Sequence, residues 1–226
     1  MQIKIGIFGD SWSCGEWSRI NKNYEITHTG LNYYLNKAGY DCKSYGLPGG
    51  GNLRSFNKLK ENEKNIDIVI FVLTQPFRDF YDQLLKYDSN KSFNKNCEFA
   101  IKNIISNLSQ QKLKNKIILV NGLFELEKQS GFIRHISWCK LLKNNFIWPK
   151  HYAHPGHIND AWLKKKILHI DKQSVLQDID QDTKNFDLFI SNMQSNKDYF
   201  YPDGSHPNRK GHKVLSEEII KILNEY

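Results

Sequence analysis

The segment from Ile66 to Leu73 constrains the fold more than any other part of the sequence. Its letters are IDIVIFVL, a nearly continuous run of β-branched and aromatic residues. Such a run is typical of a central strand in a parallel sheet, where both faces are covered. We therefore expect a sheet at the core of the molecule, with helices connecting its strands.

Other strands and helices are predicted to alternate along the chain. Short apolar runs indicate strands at residues 3–8, 40–45 and 117–121, and a short strand or helical turn at 187–190. Apolar residues at helical spacing indicate helices near residues 31–38, 53–59, 101–108 and 215–223. Asn208 is a candidate cap for the last of these helices. This alternation favours an α/β fold with a mostly parallel sheet.

Length and composition favour one soluble domain. The chain has 226 residues, of which 39% are hydrophobic and 25% are charged, and these proportions are ordinary for a globular protein. Residues 1–226 are predicted to form a single domain, with a loop and helical elaboration at about 123–177, where the strand pattern fades. No membrane span or signal peptide is evident, so a cytoplasmic location is the default expectation.

The positive charge of the chain raises the question of a nucleic-acid partner. Its 32 Lys and Arg residues outnumber its 24 Asp and Glu residues, which gives a formal net charge of +8. The lysines are scattered among Asn and Ile residues, and this pattern favours a solvated surface over a nucleic-acid site. We expect no nucleic-acid partner, and the sequence leaves the oligomeric state open.

No metal ion or other cofactor is predicted. His151, His154 and His157 lie three apart, but Pro155 and Gly156 interrupt any helix that would align them. Loop positions or substrate contacts are therefore the preferred interpretation of these histidines. The 4 cysteines are widely separated, which indicates neither a zinc cage nor a disulfide framework.

A serine follows the first predicted strand almost directly. That strand ends before Gly9, and Ser11 lies two residues later, at the edge where open α/β sheets bind their ligands. A serine hydroxyl is a weak nucleophile unless a base removes its proton. Near the other end of the chain, Asp203 and His206 share a turn with Pro and Gly. Such a turn can hold the carboxylate against the imidazole, so one loop can supply both the base and the acid that orients it.

Taken together, the two ends of the sequence resemble the SGNH (GDSL) hydrolase family. The match consists of Gly-Asp-Ser at residues 9–11 and Asp-Gly-Ser-His-Pro-Asn-x-x-Gly-His at residues 203–212. The resemblance implies a flavodoxin-like, three-layer α/β/α sandwich with a mostly parallel sheet of about five strands. It also implies ester hydrolysis through an acyl-enzyme, with Ser11 as nucleophile, His206 as base and Asp203 as the orienting acid.

The same resemblance predicts an oxyanion hole built from three parts of the chain. In the family, the oxyanion is held by the N–H of the nucleophile, the N–H of a glycine in a second motif and an Asn side chain in a third. Here the expected donors are Ser11, Gly50 and Gln75. Gln75 takes the place of the family's Asn, because Leu-Thr-Gln-Pro at residues 73–76 replaces the usual Gly-x-Asn-Asp.

Further candidate substrate contacts lie beside these donors in the sequence. They are Trp12, Gly49, Gly51, Asn52, Thr74 and Arg78. Arg78 is a candidate for binding an anionic part of the substrate, with a surface salt bridge as the alternative. The expected partner is a small-molecule or glycan ester. Because the third-motif Asn is missing, a second function stays open, in which a catalytically weak or inactive module binds acylated glycans.

Overall fold

Strands and helices alternate along the chain. The structure, a computed structural model, describes residues 2–20, 23–82, 84–88, 90–113, 116–122, 126–142, 198–200 and 206–226. Its strands are β1 (Lys4–Phe8), β2 (Glu16–Ile20), β3 (Asn23–His28), β4 (Asp41–Ser44), β5 (Ile68–Leu73), β6 (Ile117–Asn121) and β7 (Arg134–Ser137). Its helices are α1 (Ser11–Cys14), α2 (Gly30–Lys37), α3 (Asn52–Asn62), α4 (Arg78–Tyr81), α5 (Phe93–Ser109), α6 (Trp138–Leu141) and α7 (Arg209–Glu225), with a 3₁₀ turn at Glu63–Asn65.

The central sheet of the described residues has five strands in the order β4-β1-β5-β6-β7. Every neighbouring pair in it is parallel. Numbered among themselves in chain order, these strands follow the order 2-1-3-4-5, which is the flavodoxin-like arrangement. The predicted fold class is therefore confirmed.

The helices lie on both faces of this sheet. Crossover connections between parallel strands are right-handed in nearly all proteins. The chain moves from β1 to β4 in one direction and from β4 to β5 in the other, so right-handed crossovers put α2 and α3 on opposite faces. The contacts agree with this arrangement, because α2 packs against α7 while α3 packs against α5. The result is the expected three-layer sandwich.

The core is centred on the two middle strands. Every residue of β5 and of β6 is buried, which explains why their sequences are almost entirely apolar. The predicted strand at 66–73 begins two residues later, at Ile68, and the predicted strand at 40–45 is β4. The helices predicted near 31–38, 53–59, 101–108 and 215–223 correspond to α2, α3, α5 and α7.

An antiparallel hairpin departs from the predicted pattern. Strands β2 and β3 pair from Glu16 with His28 to Ile20 with Asn23, with an irregularity between Glu16 and Trp17. Their sequences, EWSRI and NYEITH, lack the apolar run that identified the other strands. The prediction for 187–190 lies outside the described residues, as do the three closely spaced histidines and most of the elaboration at about 123–177. In the described part of the chain, no helix has the length and hydropathy needed to cross a membrane.

Candidate active site

Ser11 is held at the carboxyl end of β1 by a tight turn. Gly9 has a φ of +152°, and a Cβ on it would lie 2.6 Å from the carbonyl oxygen of Val72, so this position requires glycine. Asp10 then caps α1, because its Oδ1 accepts the N–H of Trp12 at 3.0 Å. Ser11 begins the helix and is half-buried. Its hydroxyl therefore lies at the edge where ligands of such sheets bind.

His206 contacts this serine across the whole length of the chain. The His206 Nε2 atom is 2.9 Å from Ser11 Oγ, which is within hydrogen-bond distance for a general base and its nucleophile. Asn208 fixes the loop of His206 on α7: its Oδ1 accepts the N–H of Gly211 at 3.0 Å, and its Nδ2 donates to the carbonyl of Asp198. The predicted pairing of Ser11 with His206 is thus present in the geometry. Asp203 lies outside the described residues, so its role remains a prediction.

Asp10, next to the nucleophile, gathers three donors. Its carboxylate accepts from the N–H of Trp12 at 3.0 Å, from Thr74 Oγ1 at 2.6 Å and from Arg78 Nη1 at 3.0 Å. Only 2% of Asp10 is exposed, so its charge needs partners of this kind. The arrangement joins the end of β1 to the loop that follows β5 and fixes the backbone that carries Ser11.

No protein-family model matches the sequence, and no curated protein matches it. Among solved structures, the chain is similar to a lipase/acylhydrolase from Enterococcus faecalis, at 16% identity, with 100% of this chain and 96% of that chain covered and a TM-score of 0.44. It is similar to a carbohydrate acetylesterase family member from Sinorhizobium meliloti, at 9% identity, with 99% and 98% covered and a TM-score of 0.47.

A third similar structure is a GDSL-like lipase from Bacteroides thetaiotaomicron, at 15% identity, with 99% of this chain and 89% of that chain covered and a TM-score of 0.40. Identities this low do not transfer an activity from one chain to another, because one fold serves many reactions. The function of this chain has to be argued from its own site.

The N–H groups of the glycine loop, which includes the predicted oxyanion donor Gly50, differ in whether they already form a hydrogen bond within the protein. The N–H of Gly50 donates to the carbonyl of Leu47 at 2.8 Å, and that of Gly51 donates to Asp82 Oδ2 at 2.7 Å. In this conformation the N–H of Gly50 therefore closes a turn, and its role as an oxyanion donor stays a prediction. The exposed Gly49, with a φ of +72°, has no atom within 4 Å of an added Cβ. It stays open to a ligand.

Gln75 is the predicted donor that the structure leaves uncommitted. It directly follows Thr74 at the end of β5 and is 3% exposed. Among the described residues, no group forms a hydrogen bond with its side-chain amide. Neither atom of this amide is among the fully buried atoms without a partner in the described residues, so the amide keeps contact with solvent and a ligand can reach it. With Gln in place of the expected Asn, the loop that follows β5 therefore still carries a side-chain amide donor.

Three predicted substrate contacts have structural partners instead. Trp12 is 1% exposed, and its ring packs edge-on against Trp138 at 5.2 Å; a ring this buried has no surface for a substrate. Asn52 binds both backbone groups of Thr74, donating to its carbonyl at 3.0 Å and accepting its N–H at 2.8 Å. The Thr74 hydroxyl is committed to Asp10. These contacts fix the segments around Ser11 and Gln75, and the roles of Trp12, Asn52 and Thr74 as substrate contacts stay predictions.

Trp17 contacts both Ser11 and His206, and its role was not assigned from the sequence. Its Nε1 donates to the carbonyl of Ser11 at 2.7 Å, and its ring lies 5.9 Å from that of His206, tilted by 40°. The only signal in the sequence is the aromatic stretch after Ser11, which fits simple packing equally well. The contact depends on the hairpin of β2 and β3, which the strand pattern does not reveal.

Glu16 also joins the two ends of the chain at this site. Its carboxylate accepts the backbone N–H of Arg209 and lies 3.3 Å from the Arg209 guanidinium. A carboxylate at the first turn of α7 is favourable because of the helix dipole. The pair anchors the start of α7 to the start of the hairpin, and so holds the loop of His206 beside Ser11.

Cys14 is not a competing nucleophile. It is 8% exposed, and burial raises the pKa of its thiol to about 12. The thiolate is the reactive form of cysteine, and at neutral pH almost none of it forms here. Among the described residues, no group of three or more His, Cys, Asp or Glu side chains is arranged to hold a metal ion.

Proposed function

We propose that the chain is a serine hydrolase that cleaves ester bonds through Ser11 and His206. The observation that carries the proposal is the 2.9 Å contact between His206 Nε2 and Ser11 Oγ. The two residues are far apart in the sequence and meet at the carboxyl edge of a parallel sheet, where such folds place their ligands. A hydroxyl at the end of a strand, in contact with an imidazole, is the arrangement that nucleophilic catalysis requires.

The proposed reaction is acyl transfer to water. His206 removes the proton of Ser11 while Oγ attacks the ester carbonyl, and the resulting imidazolium protonates the leaving alcohol. Water then attacks the acyl-enzyme with the same base, releasing the acid and restoring the serine. Asp203 is the proposed acid that orients the imidazole. No cofactor takes part in these steps, and the proposed substrate is a small-molecule or glycan ester.

The negative charge of the tetrahedral intermediate needs preorganised donors. We assign these to the N–H of Ser11 and the side-chain amide of Gln75, a residue that is 3% exposed and whose amide forms no hydrogen bond with the described residues. Gly50 would contribute only if its turn to Leu47 opened. Removing one donor of an oxyanion hole slows catalysis by about 100- to 1,000-fold. Gln75→Leu is therefore expected to lower kcat by that factor with little change in KM.

An assay of short acyl esters tests the proposal. Purified wild-type protein should hydrolyse them, and Ser11→Ala and His206→Ala should each lower kcat/KM by at least about 1,000-fold. Ser109→Ala is a matched control, because Ser109 lies at the end of α5, at the opposite edge of the sheet from the site. Equal hydrolysis by all four proteins would contradict the proposal.

The alternative is a module that binds acylated glycans without turning them over. It predicts carbohydrate binding and a Ser11 that does not react with an organophosphonate. The contact of His206 with Ser11 favours the hydrolase, because a binding module has no need to align a base with a hydroxyl.

A further inference from the structure

Arg78 binds Asp10, the residue before Ser11, with only one nitrogen of its guanidinium. It begins α4, just after Gln75, whose carbonyl accepts the backbone N–H of Arg78 at 3.1 Å. Its Nη1 lies 3.0 Å from Asp10 Oδ2. Because Asp10 directly precedes Ser11, this ion pair brings the guanidinium to the carboxyl edge of the sheet, next to the serine.

The rest of the guanidinium has donors to offer. In the part of the chain that the structure describes, neither Nε nor Nη2 of Arg78 has a hydrogen-bond acceptor. The side chain is 16% exposed, whereas that of Asp10 is 2% exposed, so a ligand can reach Arg78 but not Asp10. A guanidinium presents five N–H groups in a planar fork that matches a carboxylate.

The needs of Asp10 alone do not explain an arginine at this position. Its carboxylate also accepts from Thr74 and Trp12, so one further donor suffices, and a lysine ammonium supplies that as a point charge. An arginine adds a second face that remains available after the ion pair has formed. The amide of Gln75, which forms no hydrogen bond with the described residues, belongs to the same turn, so two sets of available donors lie on the turn whose Arg78 binds Asp10, the residue before Ser11.

We propose that Arg78 is a binding residue for a carboxylate on the substrate, so that the preferred esters are anionic. This inference rests on the proposed function. The free face of the guanidinium binds the carboxylate while Ser11 attacks the ester carbonyl, and the buried pair with Asp10 holds the guanidinium in place. The net charge of +8 on the whole chain favours the approach of such substrates.

Two matched pairs of esters test the proposal and show which side of the ester bond carries the charge. Monomethyl and dimethyl succinate differ by a carboxylate on the acyl side, and their hydrolysis is measured as methanol release. O-acetyl-lactate and its methyl ester differ by a carboxylate on the alcohol side, and their hydrolysis is measured as acetate release. In at least one pair, wild-type kcat/KM should favour the anionic ester by about 10- to 100-fold, as expected for one charge-assisted contact.

Variants at Arg78 separate binding from folding. Arg78→Met should bring the ratio of anionic to neutral kcat/KM close to 1, and Arg78→Lys, which keeps the charge beside Asp10, should lose most of the preference. The ratio is measured within one preparation, so it does not depend on how much of the variant is folded. Arg54→Lys is the matched control, since the exposed Arg54 lies beside Gly50, with its Cδ 3.5 Å from an added Cβ there, and it should keep the wild-type ratio.

The outcomes distinguish this inference from the function on which it rests. Two outcomes would overturn the carboxylate site and leave the proposed hydrolase function standing. One is Ser11-dependent hydrolysis with no preference for the anionic ester in either pair. The other is an equal loss of kcat/KM on both members of a pair in the Arg78 variants. If none of the four esters is hydrolysed in a Ser11-dependent manner, the proposed function itself fails.

Discussion

Asp10 and Asp79 are both buried at the carboxyl edge of the sheet, and of these two carboxylates only Asp10 has a cation beside it among the described residues. Asp10 is 2% exposed and pairs with Arg78. Asp79 is 0% exposed and accepts the N–H of Leu53 at 2.8 Å, with Asn52 as a weaker neighbour at 3.5 Å. Both cap the start of a helix that borders the site, α1 for Asp10 and α3 for Asp79.

The difference shows how neighbouring acids can serve different purposes. Asp10 is compensated by Arg78, and its charge fixes the backbone that carries Ser11. Burial without a cation raises the pKa of Asp79 to about 7, so this acid is partly protonated at neutral pH. An added Cβ on Gly51 would lie 2.5 Å from Asp79 Oδ1, so Asp79 packs closely against the glycine loop. One acid fixes the segment that carries Ser11, and the other fixes the start of α3.

Removing the cation should have the largest effect on this contrast. Arg78→Met leaves the charge of Asp10 buried with only two neutral donors, and breaking a buried pair in this way costs about 3 to 5 kcal/mol. Urea denaturation at pH 7 measures the loss, with Arg78→Lys as the control that keeps a cation at the same place. A loss below about 0.5 kcal/mol in Arg78→Met would show that Asp10 does not need its partner.

Asp79→Asn should change how stability depends on pH. In the native protein the carboxyl keeps its proton up to about pH 7, whereas in the unfolded chain its pKa has the ordinary value of 3.8. The unfolded state therefore binds fewer protons in this window, and stability falls as the pH rises through it, by up to about 1.4 kcal/mol per pH unit.

In Asp79→Asn this fall in stability with rising pH should be absent. The free energy of unfolding of the variant relative to the wild type should therefore increase from about pH 4 to about pH 7. Denaturant titrations at half-unit pH steps measure it. Asp82→Asn is the comparison: Asp82 accepts the N–H of Gly51, and since its charge adds only a lesser part to the raised pKa of Asp79, which is due mainly to burial, this variant should keep most of the slope. Parallel curves for Asp79→Asn and the wild type would contradict the assignment.

A buried histidine should produce a slope of similar size and opposite sign. Burial lowers the pKa of His212 to about 3, so the unfolded chain takes up a proton below about pH 6.5 that the native protein refuses. Stability then rises with pH between these two values and offsets the contribution of Asp79 in the overlap. In His212→Gln this offset is removed, so the same titrations should show the full decrease in stability with rising pH that is due to Asp79. An unchanged profile would show that His212 carries no such penalty.

Thr74→Val should have the smallest effect of the series. It removes one hydrogen bond to Asp10 while Arg78 remains, and such a bond to a charged group contributes about 1 to 2 kcal/mol. Thr74→Ser restores the hydroxyl and should recover most of the loss in urea denaturation. If the valine variant were destabilised as much as Arg78→Met, the cation would not be the main partner of Asp10.

The sheet could be predicted from the sequence because its strands are buried on both faces. In β5 and β6 the apolar run itself identifies the strand. The hairpin of β2 and β3 could not be predicted, since its residues are mostly polar and its pairing is irregular near Trp17. The contact of Trp17 with Ser11 and His206 was missed for the same reason.

The reacting pair was accessible because its chemistry leaves motifs at both ends of the chain. Ser11 and His206 follow from Gly-Asp-Ser and from Asp-x-x-His. The oxyanion donors were harder, because whether the N–H of Gly50 is free depends on how one turn closes. Nothing in the sequence near Asp79 indicates that this acid is fully buried, since burial is decided by α3 packing against α4.

The most direct test of the account is covalent labelling of Ser11 by an organophosphonate ester, located by mass spectrometry of the digested protein. The account predicts one label per chain, on Ser11, with none on Ser11→Ala and labelling slowed by at least about 1,000-fold in His206→Ala, because the base is needed to activate the hydroxyl. Labelling of Ser109→Ala should match the wild type. A wild-type protein that takes no label, or that carries it on another residue, would contradict the assignment of Ser11 and His206 as the reacting pair.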